Sequence, residues 1–491
     1  MKNLCKKNTR LVCFLLLFGV LQANHATIAR PPSVQKRSPN IVLILADDLG
    51  WTDPGCFGSD LHETPNIDRL AREGMKFTRF YAASSVCTPT RASILTGKYP
   101  ARLRMTTHYE NSVDYWRNNS APPPDSLHLL AEAASIGNLP QKEITIAEAL
   151  KQSGYRTALV GKWHLGNFEH YPENHGFDVN IGGTSWGAPD TYWYPWTGNN
   201  FQKELRYIPG LVLGSPDTAY LTDRLTDKAL EVIETWKNEP FFLFLSHYAP
   251  HTPIEAPQEL VNYFKRKVKP GMTHQNYEYA AMIASLDNSV GRILSKLDQE
   301  NLSENTIVIF LSDNGGRIGN YKNWETVANN SPLRSGKGSL YEGGIRVPLI
   351  VRSPGTAAGL TNEFSLSTID LLPTLLDLTG IQQVKVDGSS FAPLLSGKTG
   401  RLNRDFLYWH YPHYYSTTGP VSAVQHGPWK LLYFFEDKRE ELYHLERDPG
   451  EHHNLIGEHP ETAYRLKRQL VAWWEDTQAL FPVENRLYRR K

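Results

Sequence analysis

Four apolar runs constrain this chain more than any other feature. They are Asn40-Ile41-Val42-Leu43-Ile44-Leu45-Ala46, the stretch 154–160 with its core Ala158-Leu159-Val160, Phe241-Phe242-Leu243-Phe244-Leu245, and Thr306-Ile307-Val308-Ile309-Phe310-Leu311. A near-continuous apolar run of strand length is what a parallel strand covered on both faces requires. Helical patterns fall between the runs, at 144–153, 219–237 and 277–299. A further strand is predicted at 347–351 and a helix at 367–379. Alternating strands and helices predict an α/β domain with a mostly parallel sheet between helices.

Each run stops at residues that can do chemistry: Asp47-Asp48, Lys162 with His164, His251, and Asp313-Asn314. Taken singly, these have ordinary readings. Adjacent carboxylates can shape a turn, a lysine can sit on the surface, and a histidine can be packed. Their coincidence at four strand ends is not ordinary, because open α/β sheets bind ligands at the carboxyl ends of their strands. Asp47, Asp48, Asp313 and Asn314 offer only hard oxygen donors, which favours Ca²⁺ or Mg²⁺ over zinc. Arg91, Lys162, His164, His251 and Lys337 add hydrogen-bond donors. A divalent cation among cationic donors suits a doubly charged tetrahedral anion, a sulfate or phosphate ester.

The stretch Ser84-Ser85-Val86-Cys87-Thr88-Pro89-Thr90-Arg91 leads into Ala92-Ser93-Ile94-Leu95-Thr96-Gly97. Pro89 suits a first helical turn and Gly97 a helix end, so Cys87 is predicted at the mouth of a helix N-terminus with Arg91 one turn on. That placement fits an activated nucleophile. It fits equally a buried cysteine under an ordinary helix start. Cys-x-Pro-(Ser/Thr/Ala)-Arg followed by apolar residues and Thr-Gly resembles the signature of the type I, formylglycine-dependent sulfatases. Serine is commoner than threonine at the position of Thr90. The resemblance extends over nearly the whole chain after residue 29: Ala-Asp-Asp-Leu-Gly-Trp, residues 154–164, Ala-Pro-His, Ser-Asp-Asn-Gly-Gly, Gly-Lys before Tyr-Glu-Gly-Gly-Ile-Arg, and Leu-Tyr-x-Leu-x-x-Asp-Pro-Gly-Glu.

The resemblance implies an alkaline-phosphatase-like fold. It implies a calcium ion held by Asp47, Asp48, modified Cys87, Asp313 and Asn314, with Arg91, Lys162, His164, His251 and Lys337 around the nucleophile and sulfate. A maturation enzyme would convert Cys87 to formylglycine. One hydroxyl of the aldehyde hydrate, deprotonated near Asp313, would then attack sulfur. His251, helped by Lys337, would protonate the leaving alcohol. His164 would take the proton of the second hydroxyl, so that collapse to the aldehyde expels sulfate. The implied activity is hydrolysis of sulfate esters, on a sulfated carbohydrate such as an algal polysaccharide. The rivals are a phosphonate or phosphodiester hydrolase of the same superfamily and a non-catalytic binder of sulfated glycans.

Residues 1–29 are predicted to be a signal peptide, with Lys2, Lys6, Lys7 and Arg10 before an apolar run and small residues at Ala23, Ala26 and Ala29. The run is short for a membrane span, and no later segment is long enough. The expectation is export, to the periplasm or beyond. The segment carries four basic and no acidic residues, so its removal leaves a mildly acidic chain with no broad basic face for nucleic acid. Only Cys56 and Cys87 lie beyond it, and modification of Cys87 would exclude a disulfide. Residues 103–140 read as a polar surface insertion. The aromatic stretch 182–200 reads either as a sugar-binding surface or as a packed loop. From about residue 400 shorter strands (406–410, 421–426, 429–435, 441–445) and a helix at 463–477 predict a small antiparallel sheet with one helix. The domains are thus 30–398, catalytic, and 399–491, a C-terminal α+β unit.

Overall fold

A computed structural model describes residues 38–108, 126–198, 206–211, 216, 218–397 and 402–489. The predicted signal peptide and the 398/399 boundary lie outside the described residues. In chain order, strand β1 (Asn40–Ala46) precedes helix α1 (Pro65–Glu73), β2 (Met75–Tyr81) and α2 (Cys87–Thr96). The short β3 (Leu130–Ala131) and α3 (Ile146–Gln152) lead to β4 (Arg156–Gly161) and β5 (Val179–Ile181). Then come α4 (Leu221–Trp236), β6 (Phe241–Ser246), α5 (Gln258–Lys267), α6 (Tyr277–Gln299), β7 (Thr306–Ser312) and β8 (Arg346–Arg352). Strands β9 (Leu360–Asn362) and β10 (Leu366–Ser367) precede α7 (Leu371–Thr379). The chain continues through β11 (Phe406–Tyr411), β12 (Val421–His426), β13 (Trp429–Phe434), β14 (Glu440–His444), α8 (Pro460–Thr477) and β15 (Val483–Glu484).

The central sheet has nine strands in the order β10-β2-β8-β7-β1-β6-β4-β5, with β9 also on β2. Strands β7, β1, β6, β4 and β5 are parallel, whereas β8 runs antiparallel to both β7 and β2. Side chains alternate between two cores. Val42 and Ile44 face α1, α4 and α6 through Leu70, Leu225 and Leu286. Ile41, Leu43 and Leu45 face α2, α3 and α7 through Ile94, Leu150 and Leu375. This double cover is why β1, β6 and β7 are continuously apolar in sequence.

The second sheet, β11-β12-β13-β14, is antiparallel. One face packs on α8 through Val424, Leu431 and Leu470. The other packs against Tyr81, Val86 and Leu340, and the Trp409 indole donates to the Ala82 carbonyl at 2.8 Å. The C-terminal sheet is thereby fastened to the segment leading into Cys87.

Three readings need correction. Segment 103–140 is not simply surface: among its described residues Leu103, Met105, Ala133, Ser135 and Leu139 are buried, and β3 pairs with β15. Small and apolar residues interleaved with polar ones concealed that burial. The helix predicted from Ser367 begins as a strand and a single helical turn. There Ser367 and Asp370 cap one another, and α7 starts only at Leu371. Strand β2 follows α1 unforeseen, because Lys76, Thr78 and Arg79 interrupt its apolar residues.

Candidate active site

The register of the sheet builds the site. Ala46 pairs with Ser312, Leu45 with Ser246, and Ser246 with Gly161, so four strands stop at one level. The next residues, Asp47, Lys162, His247 and Asp313, therefore emerge together. Gly161 is at φ 108, and a Cβ there would lie 1.9 Å from the Ser246 carbonyl oxygen, so only glycine permits the approach that brings Lys162 in. Asp48 and His164 hold left-handed backbone (φ 63 and 58), which non-glycine residues adopt at a cost.

Cys87 is the first residue of α2, with Val86 as extended N-cap and Gly97 (φ 65) closing the helix. Its Sγ lies 3.4 Å from His164 Nδ1. Burial pushes the thiol up from its ordinary range, outweighing Lys162 and Lys337 nearby. Burial, reinforced by Lys162, also holds the His164 imidazole well below its ordinary value, so it is neutral. The Thr90 hydroxyl donates to the Ser84 and Val86 carbonyls, fixing the turn that presents Cys87.

The four acceptor residues converge. Asp48 N–H donates to Asp313 Oδ1 at 3.1 Å, and the Asn314 amide to Asp48 Oδ1 at 2.8 Å. Lys162 Nζ lies 2.6 Å from Asp47 Oδ2, and Lys337 Nζ 2.7 Å from Asp48 Oδ1. Arg91 reaches Asp313 Oδ2 through Nε at 2.9 Å and Nη2 at 2.8 Å. Its Nη1 donates to Ser246 Oγ and the Lys162 carbonyl. Burial and the neighbouring Asp313 push Asp47 up to about 8 despite Lys162. Burial opposes ionisation of Asp48 too, but the Lys337 ammonium overrides it and holds that carboxyl below the usual range.

These residues fit an oxygen-liganded divalent cation. Asp47 Oδ1 and Asn314 Oδ1 are buried without a hydrogen-bond partner, and Asp47 is strained towards protonation by its neighbours. A cation on these oxygens would relieve both. Asp47, Asp48 and His251 also offer ligand atoms within 4.8 Å of one another. His251 sits at the margin of the group: its side chain is 11% exposed, whereas the other nine residues are buried. Its Nδ1 lies 2.7 Å from the Thr252 carbonyl and its Nε2 3.5 Å from Asp48 Oδ2. The structure thus brings together Asp47, Asp48, Cys87, Arg91, Lys162, His164, His251, Asp313, Asn314 and Lys337.

The sulfatase family model matches residues 39–381, and a model of the C-terminal part of N-sulphoglucosamine sulphohydrolase matches 336–476. The chain belongs to the sulfatase family. A sulfatase from Formosa agariphila is 32% identical over 95% of this chain and 94% of its own. Human steryl-sulfatase is 31% identical over 86% of this chain and 79% of its own. The crystal structure of Ps i-CgsB in complex with k-i-k-neocarrahexaose superposes with a TM-score of 0.73 at 29% identity, covering 89% of this chain and 93% of that one. This sulfatase accordingly has the alkaline-phosphatase-like fold of its relatives and is a sulfuric ester hydrolase.

Several neighbours of the site were not assigned a place in it from sequence. Ser246 joins Arg91 to the Lys162 carbonyl, accepting from one and donating to the other. Tyr192 donates to the carbonyls of Tyr248 and His251, holding the His251 turn. The His108 ring stands 6.2 Å from that of His164 and 6.1 Å from that of Tyr415. The aromatic stretch divides: Tyr192 and Trp196 are core, while Trp186 is part-exposed beneath the Arg206 guanidinium; residues 199–200 lie outside the described residues. Among the described residues no helix is long and apolar enough to cross a membrane.

Proposed function

We propose that this sulfatase removes sulfate from a carbohydrate, using a formylglycine made from Cys87 and a calcium ion. The observation that carries this reading is Cys87 itself. It is the buried first residue of a helix, set among four oxygen-donor residues and five cationic or imidazole groups, with burial pushing its thiol up. Calcium would be held by Asp47, Asp48, Asp313, Asn314 and residue 87, supplying positive charge to a sulfate oxygen and to a hydroxyl of residue 87. The aldehyde hydrate would supply the nucleophile and the second hydroxyl that lets sulfate leave.

The chain's own residues divide the remaining work. Arg91, held by Ser246, orients Asp313, and Lys162 balances Asp47. His164 Nδ1, 3.4 Å from the residue 87 side chain and neutral, is placed to accept a proton there. His251, at the margin, would protonate the leaving alcohol, helped by Lys337, which contacts the same Asp48 carboxylate. The crystal structure of Ps i-CgsB bound to k-i-k-neocarrahexaose supports an oligosaccharide, algal polysaccharide fragments included, over a sterol. The reading also takes residues 1–29 as an export signal, 30–398 and 399–491 as the two domains, and a formylglycine-generating enzyme as a partner.

A desulfation screen over defined sulfated oligosaccharides, steryl sulfate, and p-nitrophenyl sulfate, phosphate and phosphonate esters tests it. Sulfate release from an oligosaccharide is expected. Turnover confined to steryl sulfate, or a preference for the phosphorus esters, overturns the carbohydrate or the sulfate assignment respectively.

A further inference from the structure

A second group of metal-binding side chains lies outside that site. Asp53 stands in the loop after β1, His62 before α1, and His274 before α6, and all three are buried. Asp53 Oδ2 accepts from the Gly50 N–H at 2.6 Å and from the Tyr279 hydroxyl at 2.7 Å. Its Oδ1 has no hydrogen-bond partner. That oxygen faces His62 Nδ1 at 3.5 Å and His274 Nε2 at 3.7 Å. A fully buried carboxylate oxygen that nothing donates to is a costly arrangement unless something else binds it.

One of the two imidazoles is oriented to offer a lone pair. His274 Nδ1 lies 2.7 Å from Asp60 Oδ1, and since a carboxylate only accepts, the ring must donate there. Nε2 then carries the lone pair, 3.7 Å from Asp53 Oδ1 and 3.5 Å from the Thr52 hydroxyl. A carboxylate behind the ring is the arrangement that orients metal-binding histidines. His62 Nδ1 also lies 3.0 Å from the Asp53 carbonyl oxygen, which only accepts, so that nitrogen carries the proton here, and binding a metal through it would require the tautomer with its proton on Nε2. Nitrogen and oxygen ligands around a tetrahedral ion lie ~3.3 Å apart. The two separations here need only a small contraction to reach that, and all three ligand atoms lie within 4.8 Å of one another.

We propose that Asp53, His62 and His274 form a site for a zinc-type transition-metal ion, separate from the calcium site. Two imidazoles and one carboxylate make a borderline-soft set that suits zinc, in contrast to the all-oxygen set of Asp47, Asp48, Asp313 and Asn314. An adjoining cavity of about 500 Å³, lined by His62, His274, Tyr279 and Trp324 among others, gives the ion a way in and a fourth position for water. The role is structural. Tyr279 donates both to Asp53 Oδ2 and to the Asp48 carbonyl, so the ion would brace the loop that carries Asp48.

The test uses the full chain, stripped with chelator and reloaded with excess calcium to occupy the other site. Titration with Co²⁺ should show one ion per chain with the visible absorption of a low-coordinate histidine site, displaced by Zn²⁺. His274→Gln and His62→Gln should abolish it. Asp60→Asn removes the carboxylate charge behind His274 while its amide oxygen can still accept from the Thr273 or His274 N–H, and should weaken zinc binding about 10–100-fold with calcium content unchanged. It keeps the test decisive where the histidine variants fold poorly. No zinc bound by the calcium-loaded wild type, equal binding by the histidine variants, or an unchanged affinity in Asp60→Asn would each overturn the proposal.

Discussion

The role of His251 is open to a quantitative test. A sugar alcohol leaves poorly unless protonated, whereas p-nitrophenolate leaves well without a proton. His251 Nδ1 donates to the Thr252 carbonyl, so Nε2 is the working nitrogen, and it lies at the exposed margin of the site. Burial pushes this imidazole down to about 3, more strongly than Asp48 pulls it up. At neutral pH it therefore carries a proton on Nε2 only if the bound ester restores one. A sulfate charge ~4 Å away at an effective dielectric of ~20 contributes ~4 kcal/mol, or ~3 pKa units. The bound ester therefore raises this acid in the substrate complex. The sign follows: turnover of a sulfated sugar should fall as pH rises through that raised value, while p-nitrophenyl sulfate should lack that limb. His251→Ala should lose on the order of 10²–10⁴ in kcat/KM on the sugar and far less on p-nitrophenyl sulfate. The assay is kcat/KM for both substrates across pH, for wild type and variant. Equal losses on the two substrates would refute the acid role and make Lys337 the next candidate.

Three further outcomes are expected. Mass spectrometry of the peptide spanning residue 87 should find formylglycine in protein co-expressed with a maturation enzyme, and Cys87→Ala should fold but be inactive; full activity with intact Cys87 would contradict the mechanism. Asp313→Ala should lose both metal and activity by metal analysis and assay, and chelated wild type should recover with calcium; recovery with zinc alone would contradict the all-oxygen site. Arg91→Met leaves Asp313 without its buried cationic partner, Asp47 keeping Lys162, and should cost ~3–5 kcal/mol in chemical denaturation of the metal-free protein; a variant as stable as wild type would show that the Arg91–Asp313 pair contributes nothing.

Strands β1, β6 and β7 were legible because a strand buried on both faces must be apolar throughout, whatever surrounds it. The candidate site was legible for a related reason, since polar residues that end such strands have only the sheet's edge to occupy. The direction of β8 was not legible: Val347 to Val351 buries the same side chains whether it runs parallel or antiparallel to β7. Strand β2 was hidden because Lys76 and Arg79 interrupt its apolar pattern. Partners from other elements were beyond reach for a deeper reason. Ser246, Tyr192 and His108 acquire meaning only from what packs against them, and Asp53 and His274 lie 221 positions apart in sequence but 3.7 Å apart in space. The left-handed backbone at Asp48 and His164 belongs to the same class. Residue identity alone determines how much a segment gains by burial and which chemistry it can offer. Distances between side chains from different loops, and local strain held against its own preference, exist only once the whole core has closed around them.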